Sequence, residues 1–135
     1  MNNKTEVTHG LFDIGNLNTA FVNNFVGDSY HNSLVKETNI PVTVSNVFFE
    51  PGARNNWDIH HNGYQILLVT GGEGWYQEDD HSAQKLHSGD VVITHEGVKH
   101  WHGATQNNWF SHVAITAGTP IWLEPVNNED YQQLN

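Results

Sequence analysis

Histidines are frequent in this chain, with ten among 135 residues. Asp58 and His60 are two residues apart, as are His100 and His102, and side chains two apart on a β-strand point to the same face. Imidazole nitrogens combined with carboxylate or amide oxygens suit a divalent ion such as Mn, Fe, Ni or Zn. The candidate ligands of one metal ion per chain are therefore Asp58, His60, Gln65 and His100.

The other histidines are interpreted differently. A histidine on a strand is more often a surface or hydrogen-bonded residue than a ligand, and this is the interpretation for His9, His31, His81 and His87. Alternation along the strand points His61 away from His60, and His95 lies in a turn that faces solvent.

The elements that must position these residues are short strands. Segments rich in β-branched and aromatic residues recur about every ten residues, with turn residues between them. Predicted strands cover 42–49, 65–70, 75–77, 83–86, 91–94, 99–102, 109–116 and 120–123, with edge strands at 20–26 and 29–35. Gly71, Gly72 and Gly74 predict a tight turn between two of them. This pattern is typical of an all-β sandwich or closed barrel.

The length suits one domain. Residues 1–40 are predicted to form an N-terminal arm and edge strands, residues 41–125 the barrel, and residues 126–135 a polar tail. Exposed edge strands need a partner or a cover, which predicts a homodimer.

Composition excludes several classes of function. The net charge of −10, with only five Lys and Arg, argues against nucleic-acid partners and against an anionic membrane surface. The absence of cysteine excludes disulfides and thiolate metal sites. No segment has the apolar length of a membrane span, and residues 1–10 lack an apolar signal core, so a cytoplasmic protein is expected.

Two segments carry a recognisable motif. The stretch from Gly52 to Gln65, closed by Gly71 or Gly72, and the stretch from Gly89 to His100 resemble the two motifs of the cupin superfamily. The resemblance extends from about Val42 to Ile115 and implies a single-domain cupin, a double-stranded β-helix or jelly-roll barrel.

A narrower resemblance rests on four further segments: 49–54, 74–77, 89–92 and 99–104. They are similar to small bacterial cupins of the carboxymuconolactone-decarboxylase-associated type, which include manganese-dependent hydroxynitrile lyases. The resemblance implies a manganese ion bound by Asp58, His60, Gln65 and His100, with His112 in the pocket as a residue that is not a ligand.

Three positions depart from that family pattern. Asp58 stands where the family has a histidine, one extra residue separates His60 from Gln65, and His95 replaces a proline. Asp58 either binds the metal or forms an ion pair with Arg54, which would leave three protein ligands.

Three functions remain open. The first is lyase chemistry next to an oxygen-bearing carbon of a small molecule, as in cyanohydrin cleavage, in which a Lewis-acid metal polarises the oxygen and His112 or His102 moves a proton. The second is an iron-dependent dioxygenase, and the third is a binding protein for a small ligand without catalysis. Residues on one face of two strands are candidates to line the pocket: Ser45, Val47, Phe49, His112, Ala114 and Thr116.

Overall fold

The computed structural model describes residues 3–134, which form one barrel of β-strands with three short helical segments. The strands in chain order are β1 (Asn16–Leu17), β2 (Phe25–Val26), β3 (Ser29–Ser33), β4 (Thr43–Phe49), β5 (Arg54–Asn55), β6 (Asp58–Glu78), β7 (Gln84–His87), β8 (Val91–Thr94), β9 (His100–Ala104) and β10 (Phe110–Trp122). The helices are α1 (Lys4–Thr8), a 3-10 helix (Val22–Asn24) and α2 (Asn128–Gln132). The all-β, single-domain barrel predicted from the sequence is confirmed. Among these residues, no helix has the length and apolar character to cross a membrane.

The described strands form one curled sheet with the order β1-β3-β4-β10-β6-β9-β5-β2, and β7 and β8 also pair with β6. Strand β6 is the centre of the sheet, because it pairs with β10, β7, β8 and β9. His100, the first residue of β9, is paired both with Asp58 at the start of β6 and with Glu78 at its end. This double pairing places β9 between the two ends of β6 and brings His100 next to Asp58.

The turn predicted at Gly71, Gly72 and Gly74 is wrong, because β6 continues through these residues. Instead, the glycines allow neighbouring strands to approach each other closely. A Cβ atom on Gly72 would lie 1.9 Å from the carbonyl oxygen of Trp109, and one on Gly74 would lie 2.6 Å from the Phe110 ring. Gly72 also has φ of 76°, in the left-handed region that favours glycine.

Three other predicted segments differ from the structure. Residues 120–123 are not a separate strand, because β10 continues to Trp122. The edge strand predicted at residues 20–26 is a 3-10 helix followed by the two-residue strand β2. Residues 126–134, predicted as a polar tail, contain α2, and both Val126 and Tyr131 are buried there.

Hydrophobic residues pack in three groups. The barrel interior holds the largest group: Val47, Phe49, Ala53, Leu67, Val69, Tyr76, Leu86, Val92, Ala104, Phe110 and Ala114. A second group packs α2 onto the outer side of β9 through Trp101, Val126 and Tyr131. The third places Val7 of the N-terminal arm against Phe48 and Trp109. The arm and the C-terminal segment thereby cover the outside of strands whose inner faces line the barrel.

Candidate metal centre and cavity

The barrel contains a cavity of about 380 Å³ that opens to solvent. All six pocket residues predicted from strand alternation line it, and the remaining wall comes from the N-terminal arm, β5, β6, β9 and the end of β10. The lining residues are Asn18, Phe21, Phe25, His31, Ser33, Thr43, Ser45, Val47, Phe49, Asn55, Asp58, His60, Gln65, His102, His112, Ala114, Thr116, Gly118, Pro120 and Trp122.

Three of the predicted ligands converge on one wall of this cavity. The Nε2 atom of His60 lies 3.3 Å from Asp58 Oδ2, and the Nε2 atom of His100 lies 3.5 Å from Asp58 Oδ1. One donor atom from each residue lies within 4.8 Å of the other two, and all three side chains are buried. Asp58 and His60 alternate inward from the first residues of β6, and the pairing of Asp58 with His100 supplies the third group.

A β-bulge brings the fourth predicted ligand, Gln65, to the same face. Strict alternation would point Gln65 away from His60, because the two residues are an odd number of positions, five, apart. Two residues of β6, Asn62 and Gly63, lie opposite the single residue Gly118 of β10, so the register shifts by one. Asn62 has φ of 57°, in the left-handed region. The extra residue in the motif is therefore absorbed by the bulge, and Gln65 lines the cavity.

Hydrogen bonds orient two of the predicted ligands. The carbonyl oxygen of Val98 lies 2.9 Å from His100 Nδ1, so that nitrogen donates a hydrogen and Nε2 keeps its lone pair. The side-chain Nε2 of Gln65 donates to Thr116 Oγ1 at 3.1 Å, which leaves Gln65 Oε1 without a protein partner. In both residues, the atom that remains free is the one that can bind a metal ion.

Buried atoms without partners are concentrated at this wall. Asp58 Oδ1, both ring nitrogens of His60, Gln65 Oε1 and His100 Nε2 lack hydrogen-bond partners. Buried polar atoms are normally satisfied, so this cluster of unpaired atoms points to a ligand that binds them together. Nitrogen and oxygen donors that converge in this way fit a divalent cation of the Mn, Fe, Ni or Zn type.

The pKa shifts of the candidate ligands in the metal-free protein are consistent with a cation site. Burial raises the pKa of Asp58 to about 8, lowers the pKa of His60, and lowers the pKa of His100 to about 4. Without a cation, these groups are therefore driven towards their neutral forms. A bound cation would reverse the effect on Asp58, because a positive charge stabilises the carboxylate.

The two histidines predicted to move protons lie together beside the ligands. The rings of His102 and His112 meet edge to face with centroids 4.8 Å apart. Neither nitrogen of His112 has a protein partner, and burial lowers its pKa to about 3. The Asn55 side chain contacts His102 twice, because its Oδ1 accepts from the backbone N–H at 3.0 Å and its Nδ2 lies 3.3 Å from ring Nε2. Burial holds the pKa of His102 well below its ordinary value.

Several residues of the cavity were missed from the sequence. Phe21, Phe25 and Trp122 form an aromatic cluster in its wall, with Trp122 centroids 6.3 Å from Phe21 and 5.9 Å from Phe25. His31, interpreted as a surface or hydrogen-bonded residue, is exposed as expected and also lines the open cavity from β3. His31 reaches the cavity because it pairs with Val47 of β4. That strand pairing is not visible in the sequence.

The alternative ion pair between Asp58 and Arg54 is wrong. The Arg54 guanidinium donates to the Gly52 carbonyl and to Asn128 of α2, and it lies 4.0 Å from the centroid of the Tyr131 ring. Arg54 thus attaches α2 to the barrel, and Asp58 is left among the metal-binding candidates.

Comparisons with known proteins agree with the architecture. Residues 46–114 match the model of the cupin domain family. The chain is 42% identical over 96 residues to an (R)-mandelonitrile lyase of Granulicella tundricola, covering 68% of this chain and 72% of the relative. The crystal structure of a cupin-like protein from Thermotoga maritima superposes with a TM-score of 0.84 at 37% identity, covering 91% of this chain and 95% of the other. A predicted oxalate decarboxylase from the same organism shares the fold, with a TM-score of 0.64 at 18% identity over 70% of this chain and 84% of the other. The barrel, the convergent donors and these matches together show that the chain belongs to the cupin family.

Proposed function

We propose that this protein is a metal-dependent lyase that cleaves a bond next to the oxygen-bearing carbon of a small neutral molecule, with a cyanohydrin as the first substrate to test. The observation that carries the proposal is the cluster of unpaired polar atoms on Asp58, His60, Gln65 and His100 beside the cavity. The 42% identity to a mandelonitrile lyase supports the same chemistry.

Asp58, His60, Gln65 and His100 would hold the ion, which when bound supplies Lewis-acid stabilisation of negative charge on the substrate oxygen. Manganese is the first candidate, and Fe, Ni and Zn suit the same donors. The remaining steps belong to the protein. The aromatic cluster of Phe21, Phe25 and Trp122 contacts the apolar part of the substrate.

His112 is suited to take the hydroxyl proton of the substrate. Its side chain lines the cavity and neither ring nitrogen has a protein partner, so the lone pair of the neutral imidazole is free to accept a proton. Transfer of the O–H proton to His112 accompanies formation of the carbonyl and cleavage of the carbon–carbon bond, whose electron pair leaves with cyanide. The imidazolium then returns the proton to cyanide, and the products are an aldehyde and hydrogen cyanide. His102, 4.8 Å away between ring centroids, is the second group that can carry this proton.

The charge of the cavity favours a neutral substrate. None of its lining residues is Lys or Arg, and Asp58 is the acidic one among them. An anionic substrate would therefore have the bound ion as its cationic partner and no cationic side chain.

Elemental analysis of protein purified without chelator tests the metal, beside a His100→Ala variant. Near-stoichiometric Mn, Fe, Ni or Zn in the wild type and its loss in the variant are expected. Turnover of mandelonitrile and related cyanohydrins by the loaded protein then tests the chemistry. A fully loaded protein that releases no cyanide from any of them would refute the lyase proposal while leaving the metal site in place.

A second candidate is an iron-dependent dioxygenase. Two histidines and one carboxylate, whose donor atoms lie within 4.8 Å of one another, match the donor set of non-haem iron oxygenases. Iron-dependent oxygen consumption would favour this function. Activity with manganese and indifference to iron would oppose it.

Other expectations stay predictions. Failure of the protein to take up metal after reconstitution would favour a small-ligand-binding protein without catalysis. The homodimer is tested by light scattering, in which a monomer mass would contradict it. The cytoplasmic location is tested by fractionation of the source cells.

A further inference from the structure

The bulge that places Gln65 on the ligand face is held by a turn from a distant part of the chain. The carboxylate Oε2 of Glu96 accepts a hydrogen bond from the backbone N–H of Asn62 at 2.6 Å. The backbone N–H of the next residue, Gly97, donates to the carbonyl oxygen of His60 at 3.1 Å. The turn therefore contacts β6 on both sides of His61, between one ligand and the bulge.

The bulge needs such a partner for a physical reason. An extra residue in a strand is left outside the regular ladder, so its N–H loses its cross-strand acceptor. Asn62 also has a φ of 57°, which residues other than glycine seldom adopt. A carboxylate that accepts the Asn62 N–H makes a charge-assisted hydrogen bond and favours this conformation over a slipped register. A slip of one residue would exchange the inward and outward faces of β6.

We propose that Glu96 is a positioning residue of the metal centre: its carboxylate fixes the bulge at Asn62 and thereby keeps Gln65 on the same face as His60. The proposal rests on the proposed function only in that a metal ion occupies the site. Glu96 is exposed and precedes His100 by four residues, so one turn both fixes the bulge and leads into the strand that carries another ligand.

The test compares three variants with the wild type. Glu96→Ala removes the acceptor, Glu96→Gln retains an acceptor oxygen without the charge, and Glu37→Ala is a control at another exposed glutamate. The dissociation constant for Mn²⁺ is measured by calorimetry on metal-free protein, and hydrogen exchange is followed at the Asn62 amide. We expect Glu96→Ala to weaken Mn²⁺ binding by about tenfold, the effect typical of residues that orient ligands. Exchange at Asn62 should be faster, Glu96→Gln should recover most of the affinity, and the control should match the wild type.

Wild-type affinity in Glu96→Ala would overturn the proposal. So would an equal loss in Glu96→Ala and Glu96→Gln, because the accepting oxygen would then not be the cause. If the wild type binds no Mn²⁺, the proposed metal function fails, and the inference is decided on metal-free protein. In that case, faster exchange of the Asn62 amide and of the Gln65 side-chain NH₂ in Glu96→Ala supports it, and unchanged exchange at both groups overturns it.

Discussion

The hydroxyl of Thr116 accepts a hydrogen bond from Gln65 Nε2 at 3.1 Å and so determines which end of the Gln65 amide faces the donor cluster. With Nε2 held by β10, Oε1 is the atom left without a protein partner. A metal ion binds the carbonyl oxygen of an amide and not its NH₂ group. The identity of residue 116 therefore bears on the metal centre, although Thr116 is not a predicted ligand.

Replacement of Thr116 by valine tests this relationship. Valine keeps the shape but removes the oxygen, so the Gln65 amide can rotate and present NH₂ to the site. We expect Mn²⁺ to bind about tenfold more weakly in Thr116→Val, as for other residues that orient ligands. Thr116→Ser retains the hydroxyl and should bind as the wild type does. Equal affinities of the valine and serine variants would show that the hydroxyl has no orienting role.

Deletion of Asn62 tests the bulge. The deletion leaves Gly63 alone opposite Gly118, so β6 and β10 can pair without a register shift. His60 and Gln65 would then be separated by an even number of residues and would still share a face. We expect one bound metal ion per chain, measured by elemental analysis.

An insertion provides the matched control for that deletion. An alanine placed between His60 and His61 lengthens the strand by one residue outside the bulge, which turns His60 away from Gln65. This variant should lose the metal ion while circular dichroism still reports a β-fold. Loss of metal in the deletion variant, with its fold retained, would contradict the account.

Asp58→Asn should separate stability from metal binding. Burial raises the pKa of Asp58 from 3.8 to about 8 in the metal-free protein. Between these values the folded state keeps a proton that the unfolded chain has lost, so the free energy of unfolding decreases as the pH rises. Asparagine removes this penalty. At pH 8 the metal-free variant should therefore be more stable than the wild type by on the order of a few kcal/mol.

Urea unfolding of chelator-treated protein at pH 5 and pH 8 measures the effect. The difference between variant and wild type should increase with pH, and the variant should lose metal binding. If the difference in unfolding free energy between Asp58→Asn and the wild type is the same at pH 5 and pH 8, Asp58 is already ionised in the folded, metal-free state.

Buried His112 should make the free energy of unfolding depend on pH in the direction opposite to that expected for Asp58. Burial lowers the pKa of His112 from 6.5 to about 3, so below pH 6.5 the unfolded chain takes up a proton that the folded state refuses. The free energy of unfolding therefore decreases as the pH falls towards 3. His112→Gln should reduce that slope by up to about 1.4 kcal/mol per pH unit in unfolding experiments from pH 7 to pH 5. His81→Gln, at an exposed position, is the control, and a slope in His112→Gln as steep as the wild type would count against a buried neutral His112.

The local sequence pattern is enough to predict the barrel and most of the residues that face its interior. Alternation along the strands at 42–49 and 109–116 predicts the residues that line the cavity, and all six do. The same rule correctly orients His60 relative to Asp58. It cannot orient Gln65 relative to His60, because the answer depends on a bulge fixed by Glu96, which lies 34 residues from Asn62.

Long-range pairing also explains the other differences. Gly72 and Gly74 predict a turn if only their neighbours in the chain are considered, but their role is to let β6 pass close to Trp109 and Phe110. His31 lies in a polar segment without a clear period and reaches the cavity only because β3 pairs with β4. Such relationships depend on which strands meet, and one sequence does not specify that directly.

The helix α2 has a consequence for anyone who engineers this chain. His100 and His102 face the cavity from β9, and Trp101 between them is fully buried on the opposite side beneath Tyr131. The C-terminal segment is thus the outer support of the strand that carries both histidines. An affinity tag or a truncation near residue 128 would loosen that support, so a preparation altered there is expected to bind the proposed metal ion more weakly, although every candidate ligand is unchanged.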